Sequence, residues 1–241
     1  MEKIIAIIPA RYGSSRFPGK PLAKIAGESM IRRVVKQVQK CEAITEVHVA
    51  TDHPDIEKEV HDLCFVHQTG EHSNGTFRIL EVAQKLNLST EIVLNVQGDE
   101  PMLNPDDLDA LILAVRNSKS GLGTLCSPMT REEAQNPNRV KVVKSKSGRA
   151  LYFSRSPIPF IRTEGCSAFF KHIGLYGYRA DVLAELAQIP ESDYAKTESL
   201  EQLSWLENDY DIAISEVAES MPGVDVPEDI NTVEKLLIRR G

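Results

Sequence analysis

The 241-residue chain has no pair of cysteines at metal-ligand or redox spacing. Cys41, Cys64, Cys126 and Cys166 lie far apart, with no CxxC and no histidine at zinc-ligand spacing. They read as reduced thiols that serve mainly in packing. Long apolar runs are missing too: nothing approaches the roughly 20 residues of a membrane span. The five-residue apolar run before Pro9 is too short for the core of a secretory signal. A soluble, cytoplasmic protein without membrane insertion is therefore expected. Nor is there an excess of positive charge, since 28 Lys and Arg face 35 Asp and Glu, a formal net charge of -7. That balance argues against nucleic acid or an anionic membrane as partner. Internal repeats, low-complexity tracts and linkers are absent. So are GxxxxGK[ST] and GxGxxG, so any grip on phosphate must be of another kind.

What is present begins with MEKIIAIIPARYGSSRFPGKPL. Ile4, Ile5, Ala6, Ile7 and Ile8 form an unbroken apolar stretch, which predicts a strand covered on both faces, as in a parallel sheet. Pro9 is expected to end it. The following ARYGSSRFPGK is rich in Gly and Ser and places Arg11, Arg16 and Lys20 along a loop that no helix or strand period explains. Positive charge so localised in an acidic chain suits a small polyanion. Arginine offers bidentate contacts to phosphate oxygens and lysine a point charge.

Strand-like and helix-like runs then alternate. SMIRRVVKQVQKC puts Met30, Val34, Val35, Val38 and Cys41 on one helical face; EVHVATD predicts a strand ending at Asp52, and PDIEKEVHDLC a helix starting at its proline. EIVLNVQGDEP repeats the buried strand with Ile92, Val93, Leu94 and Val96, and NPDDLDALILAVRNS follows as a helix with Asn104 as N-cap and Pro105 at its first position. This β-α-β-α order implies an α/β fold with a doubly wound, mainly parallel sheet, whose ligand sits at the carboxyl ends of the strands. The length fits one domain over 1–241, with a smaller antiparallel, β-rich sub-lobe at about 121–180 in GLGTLCSPM, RVKVVKS, ALYFSRSPIPFI and KHIGLYGYR. TESLEQLSWLENDYDIAISEVAES reads as a helix and a strand, and Pro227 in VDVPEDI fits the start of a final helix.

Asp99 and Glu100 in QGDEP follow a buried strand at the edge where a ligand would lie. A carboxylate facing Arg and Lys there suits Mg²⁺, which takes one or two protein carboxylates together with phosphate oxygens and water. Asp225 in GVDVP is the best candidate for a second ligand, although spacing alone cannot bring position 225 to position 99. An isolated Asp in a turn is commonly a cap.

IIPARYGSSRFPGKPL, HSNGTFR, NVQGDEP, ALYFSRSPIP, HIGLYGYR, ESLEQLSWLE and VDVPEDI occur in an order and spacing that resemble the CMP-Kdo synthetases, the 3-deoxy-manno-octulosonate (Kdo) cytidylyltransferases. The resemblance covers essentially the whole chain. It implies a nucleotidyltransferase fold of GT-A-like type, a homodimer, and transfer of CMP from CTP to a free eight-carbon 2-keto sugar acid for lipopolysaccharide assembly. By the same resemblance Arg11, Arg16 and Lys20 hold the triphosphate, Gln97 and Arg78 face the cytidine, and Asp99 and Asp225 hold magnesium. Arg155, His172, Tyr176, Glu201 and Gln202 line the sugar pocket. His172, a lone histidine beside apolar residues, would otherwise read as structural.

The implied chemistry is attack of the anomeric hydroxyl on the α-phosphorus with departure of pyrophosphate. That requires in-line alignment and neutralisation of crowded oxyanions, with Arg16, Lys20, Asp99 and Asp225 nearest the reaction. No Ser, Cys or His sits in an activated-nucleophile setting, so no covalent intermediate is expected. The chain departs from the family pattern at Phe77, where SGTDR has become NGTFR, at His53, where ATDD has become ATDH, and at Ser145 in KVVKSKSG. Loss of an acidic residue at position 77 makes Phe77 a specificity candidate and the 8-amino-8-deoxy analogue of Kdo an alternative substrate. A sialic acid cytidylyltransferase would not carry FSRSPIP and HIGLYGYR. A non-catalytic nucleotide-binding regulator would be expected to lose Lys20, Asp99 or Asp225, and all three are present.

Overall fold

A computed structural model describes residues 2–13, 17–72, 74–163, 165, 169–219 and 221–240. The chain divides into two compact units, Met1–Asp109 with Met221–Gly241, and Ala110–Ser220.

The first unit opens with β1 (Ile4–Ala10), then the short antiparallel pair β2 (Lys24–Ile25) and β3 (Glu28–Ser29). There follow α1 (Met30–Val38), β4 (Glu46–Thr51), α2 (Pro54–Val60), β5 (Phe65–Gln68), α3 (Gly75–Lys85), β6 (Ile92–Asn95) and α4 (Pro105–Asn117), within which the division falls. Strands β6, β1, β4 and β5 lie side by side and parallel. Residues 4–8 are buried on both faces of β1, as their unbroken apolar run requires. Met30, Val34, Val35 and Val38 form the buried stripe of α1, with Cys41 buried just beyond it. Asn104 Oδ1 accepts from Asp106 N–H at 3.3 Å and so caps α4.

Pro9 does not end β1, which runs on to pair Pro9 with Ala50 and Ala10 with Thr51. The Ile7 carbonyl accepts from Val96 N–H, so odd-numbered residues of β1 turn their backbone groups toward β6. Pro9 lies beyond the last β1–β6 pair, Ile7 with Asn95, where no ladder partner is lost by its missing N–H. β5 has no strand signal in the sequence, because its four residues are partly or fully exposed and show no alternation.

The second unit contains β7 (Leu122–Met129), α5 (Arg131–Ala134), β8 (Lys141–Lys144), β9 (Ala150–Ser154) and β10 (Phe169–Arg179). After them come α6 (Ala180–Leu186), α7 (Asp193–Glu198), α8 (Gln202–Glu207) and β11 (Ile212–Glu216). β10 runs antiparallel to β7 and β8, β9 pairs antiparallel with β8, and β11 lies parallel to β7. The single helix expected across TESLEQLSWLE is two: Ser199, at φ 51°, turns left-handed between α7 and α8. Three thiols, Cys41, Cys64 and Cys126, are free, and burial pushes them up to about 11, 12 and 12, out of reach of thiolate chemistry. Cys166 lies outside the described residues. Among those described, no helix is long and apolar enough to cross a membrane.

The final helix, α9 (Asp229–Arg240), returns to the first unit and begins two residues after Pro227. Asp229 Oδ2 sets its start by accepting from the N–H groups of Asp225 at 2.8 Å and Val226 at 3.0 Å. Val224 and Val233 are buried with Ile25, Met30 and Met102, a cluster that docks the carboxyl-terminal segment. Truncating Val233 to alanine should lower the unfolding free energy by about 1.5–3 kcal/mol. Urea denaturation reads it, and an unchanged midpoint would show that α9 is not part of this core.

Candidate functional site

The first unit carries a cleft of about 340 Å³ at the carboxyl ends of β1 and β6, where a parallel sheet places its ligand. Arg11, Lys20, Arg78, Gln97, Asp99 and Asp225 all line it. Arg16 lies outside the described residues. Phe77 is not among the lining residues; it sits half-buried in the first turn of α3, its N–H donating to Asn74 Oδ1 at 3.0 Å.

Backbone packing brings position 225 to position 99. Val224 N–H donates to the Asp99 carbonyl at 2.9 Å, and a Cβ on Gly223 would lie 3.2 Å from that same oxygen. Gly98 is as tightly placed, since a Cβ there would meet the Pro9 carbonyl oxygen at 3.0 Å. Lys20 joins the segments: its Nζ donates to Asp99 Oδ2 at 2.6 Å and to the Val224 carbonyl at 3.0 Å. Lys20 is delivered by a turn in which Gly19, at φ 69°, donates its N–H to the Tyr12 carbonyl.

Arg78 is buried although it lines the cleft. One guanidinium nitrogen donates to Asp52 Oδ2 at 2.8 Å and another to Thr69 Oγ1. The second oxygen of Asp52 accepts from Tyr12 N–H at 3.1 Å, and the Tyr12 ring stacks on His53 at 4.0 Å. His72 pairs with Glu81 at 2.6 Å. Burial works against the charge on Glu81, but Lys85, His72 and the Gly70 N–H outweigh it and hold the carboxyl at about 2. Among the described residues the cleft thus sets Arg11, Lys20 and Arg78 against two lining carboxylates, Asp99 and Asp225. Among the described residues no cluster of three or more metal-ligating side chains occurs.

The other expected residues lie in the second unit. His172 and Tyr176, on β10, are buried with ring centroids 5.4 Å apart, and Tyr176 meets Trp205 of α8 edge-on at 5.3 Å. Gln202 is buried in the first position of α8, next to Glu201. The Tyr176 hydroxyl and Gln202 Nε2 are buried without a hydrogen-bond partner among the described residues, which leaves two polar groups unsatisfied. Burial first, then Tyr178 and Glu201, pushes the Tyr176 hydroxyl well above its usual range. Arg155 is spent on main-chain carbonyls: Glu198 at 2.6 Å, Pro137 at 3.2 Å and Ser199 at 3.3 Å.

The cytidylyltransferase family model matches residues 5–212. The 3-deoxy-manno-octulosonate cytidylyltransferase of Escherichia coli is 42% identical over 98% of this chain and 97% of its own length. The enzyme of that name from Parabacteroides distasonis is 42% identical over the whole of both chains. The chain belongs to the 3-deoxy-manno-octulosonate cytidylyltransferase family. A solved CMP:2-keto-3-deoxy-manno-octonic acid synthetase complexed with CTP superposes with a TM-score of 0.93 at 41% identity, over 99% of this chain and 100% of that one. The fold is accordingly that of the cytidylyltransferases.

Several residues of the two units have surroundings that their sequence context does not announce. Asp52, expected as the end of a strand, lies one residue past β4, and its double contact to Tyr12 and Arg78 depends on how α3 packs. His72 and Asn74 line the cleft from the HSNGTFR block, and Thr124 has no signal beyond its place in a strand.

Burial, then the charge of Lys171, pushes His172 down from 6.5 to about 3. The unfolded chain takes up this proton near pH 6.5 while the folded chain refuses it, so this contribution to stability is full above 6.5 and is lost progressively as pH falls toward 3. His172→Gln should therefore show a smaller drop in melting temperature between pH 7.5 and 5 than the parent protein. Parallel drops would contradict a neutral, buried His172.

Proposed function

We propose that this protein transfers CMP from CTP to the anomeric hydroxyl of Kdo and releases pyrophosphate, as a cytoplasmic step toward lipopolysaccharide. The observation that carries this reading is the lining of the first unit's cleft by Arg11, Lys20 and Arg78, in a chain 41% identical along its length to a synthetase solved with CTP. Arg11 and Lys20 grip the triphosphate, with Arg16 from the same loop, and Gln97 and Arg78 face the cytidine. Lys20, held between Asp99 and the Val224 carbonyl, offers a fixed ammonium to the charge that gathers on departing pyrophosphate.

Asp99 and Asp225 are hard oxygen donors lining one cleft, a set that fits Mg²⁺ in its usual partnership with one or two carboxylates and phosphate oxygens. When bound, the ion supplies Lewis-acid polarisation of a phosphoryl oxygen and lowers the pKa of a hydroxyl. In the second unit, the unsatisfied Tyr176 hydroxyl and Gln202 Nε2 are groups that a polyhydroxylated acid would satisfy, with His172 and Glu201 beside them. Arg155 supports that wall through its three carbonyl contacts.

Pyrophosphate release measured with CTP and magnesium against Kdo, its 8-amino analogue and sialic acid tests the reading. Turnover is expected with Kdo, and silence with Kdo and its analogue alike would reject it. Asp99→Asn and Asp225→Asn should each lower kcat by about a hundredfold or more, roughly 2.7 kcal/mol at the transition state, with the fold intact by circular dichroism. Wild-type kcat in either variant would remove that carboxylate from the reaction.

The homodimer belongs to the same reading. Phe160, Tyr194 and Leu151 of the second unit are 87%, 56% and 50% exposed, large apolar side chains that a second copy of the chain would cover. Sedimentation should show a dimer that Phe160→Asp shifts toward monomer. A monomeric parent protein would refute this assembly.

A further inference from the structure

We infer that Thr124 fixes His172 as the Nε2–H tautomer, so that Nδ1 is a hydrogen-bond acceptor for a sugar hydroxyl and not a donor to the sugar carboxylate. The second half of this inference rests on the sugar-acid reading above.

The argument is one of proton counting around a fully buried hydroxyl. Thr124 Oγ1 lies 2.8 Å from the Leu175 carbonyl oxygen, 3.2 Å from the Ile173 carbonyl oxygen and 3.0 Å from His172 Nε2. Both carbonyls reach it because the β7–β10 register shifts between Ile173 and Tyr176, a bulge opposite Thr124. The hydroxyl has one proton, and carbonyl oxygens have none. Were that proton directed at Nε2, oxygen lone pairs would face each other at 2.8 Å with nothing between them. The proton therefore lies on the line to Leu175.

Thr124 Oγ1 is then an acceptor toward the imidazole, and Nε2 must carry a hydrogen to meet it at 3.0 Å. Burial keeps the ring neutral, since protonation waits until about pH 3. A neutral ring with its hydrogen on Nε2 has a bare lone pair on Nδ1. Such an atom accepts from O–H and repels a carboxylate, so His172 would read a hydroxyl of the sugar acid. Phe153, edge-on to the ring at 4.9 Å, and Tyr176 on another side restrict rotation that would exchange the two nitrogens.

The direct measurement is a long-range proton–nitrogen correlation spectrum of the full chain labelled with ¹⁵N-histidine, at pH 7.5, with His172 assigned from the signals lost in His172→Gln. Nε2 should resonate as a protonated nitrogen and Nδ1 as an unprotonated one, and Kdo added with CDP should move the Nδ1 signal. The opposite tautomer, or an exchanging pair, overturns the inference whatever the sugar does. An Nε2–H ring whose Nδ1 ignores saturating Kdo, in a protein that turns Kdo over, overturns the hydroxyl contact alone. Failure to turn over Kdo at all instead overturns the substrate reading beneath it. Thr124→Val should raise KM for Kdo at least about fivefold with kcat changed less than about twofold, and Thr124→Ser should restore it. Unchanged KM in Thr124→Val counts against the role, and should that variant fail to fold, the spectrum of the parent protein still decides.

Discussion

The ammonium of Lys20 holds the first unit's cleft together. It spans the Asp99 carboxylate and the Val224 carbonyl, and so ties three segments separated by 79 and 204 positions from Lys20 in the chain. The contact is charge-assisted and only partly exposed, which makes it stronger than an ordinary surface pair. Its geometry presupposes much else: β1 and β6 must pair so that the Asp99 turn is presented, and α9 must dock so that Val224 is buried. The Gly19 turn, closed on the Tyr12 carbonyl, must aim the lysine inward.

Much of this was legible in the sequence, for reasons that differ by element. Residues 4–8 read as a strand covered on both faces, and QGDEP after a second such strand marked the edge where a ligand would lie. The helices at Met30, Pro54 and Pro105 announced themselves through apolar spacing, proline and a cap. The approach of Asp225 to Asp99 was not legible from spacing, because it depends on side chains such as Val224 and Val233 entering a core built from other parts of the chain. Pro9 misleads for a related reason: whether a missing N–H breaks a strand depends on whether a neighbour is still there to receive it.

The second unit shows where family resemblance adds what periodicity cannot. His172, Tyr176 and Gln202 are buried, and by pattern alone they are core residues. The Tyr176 hydroxyl and the Gln202 amide nitrogen are buried without a partner among the described residues, a cost in stability that a purely apolar side chain would not carry. Arg155 differs from both, because three carbonyls already hold it.

Gly98 limits how the cleft can vary. The atom facing its missing side chain is a main-chain oxygen of β1, which cannot swing aside as the tip of a side chain can. A side chain at position 98 therefore has to push the β1 main chain away by a few tenths of an ångström, which opposes any change in the separation between β1 and the turn after β6. Under the proposed reading, any redesign of nucleobase preference through this turn has to work at Gln97, on a backbone whose path is already decided.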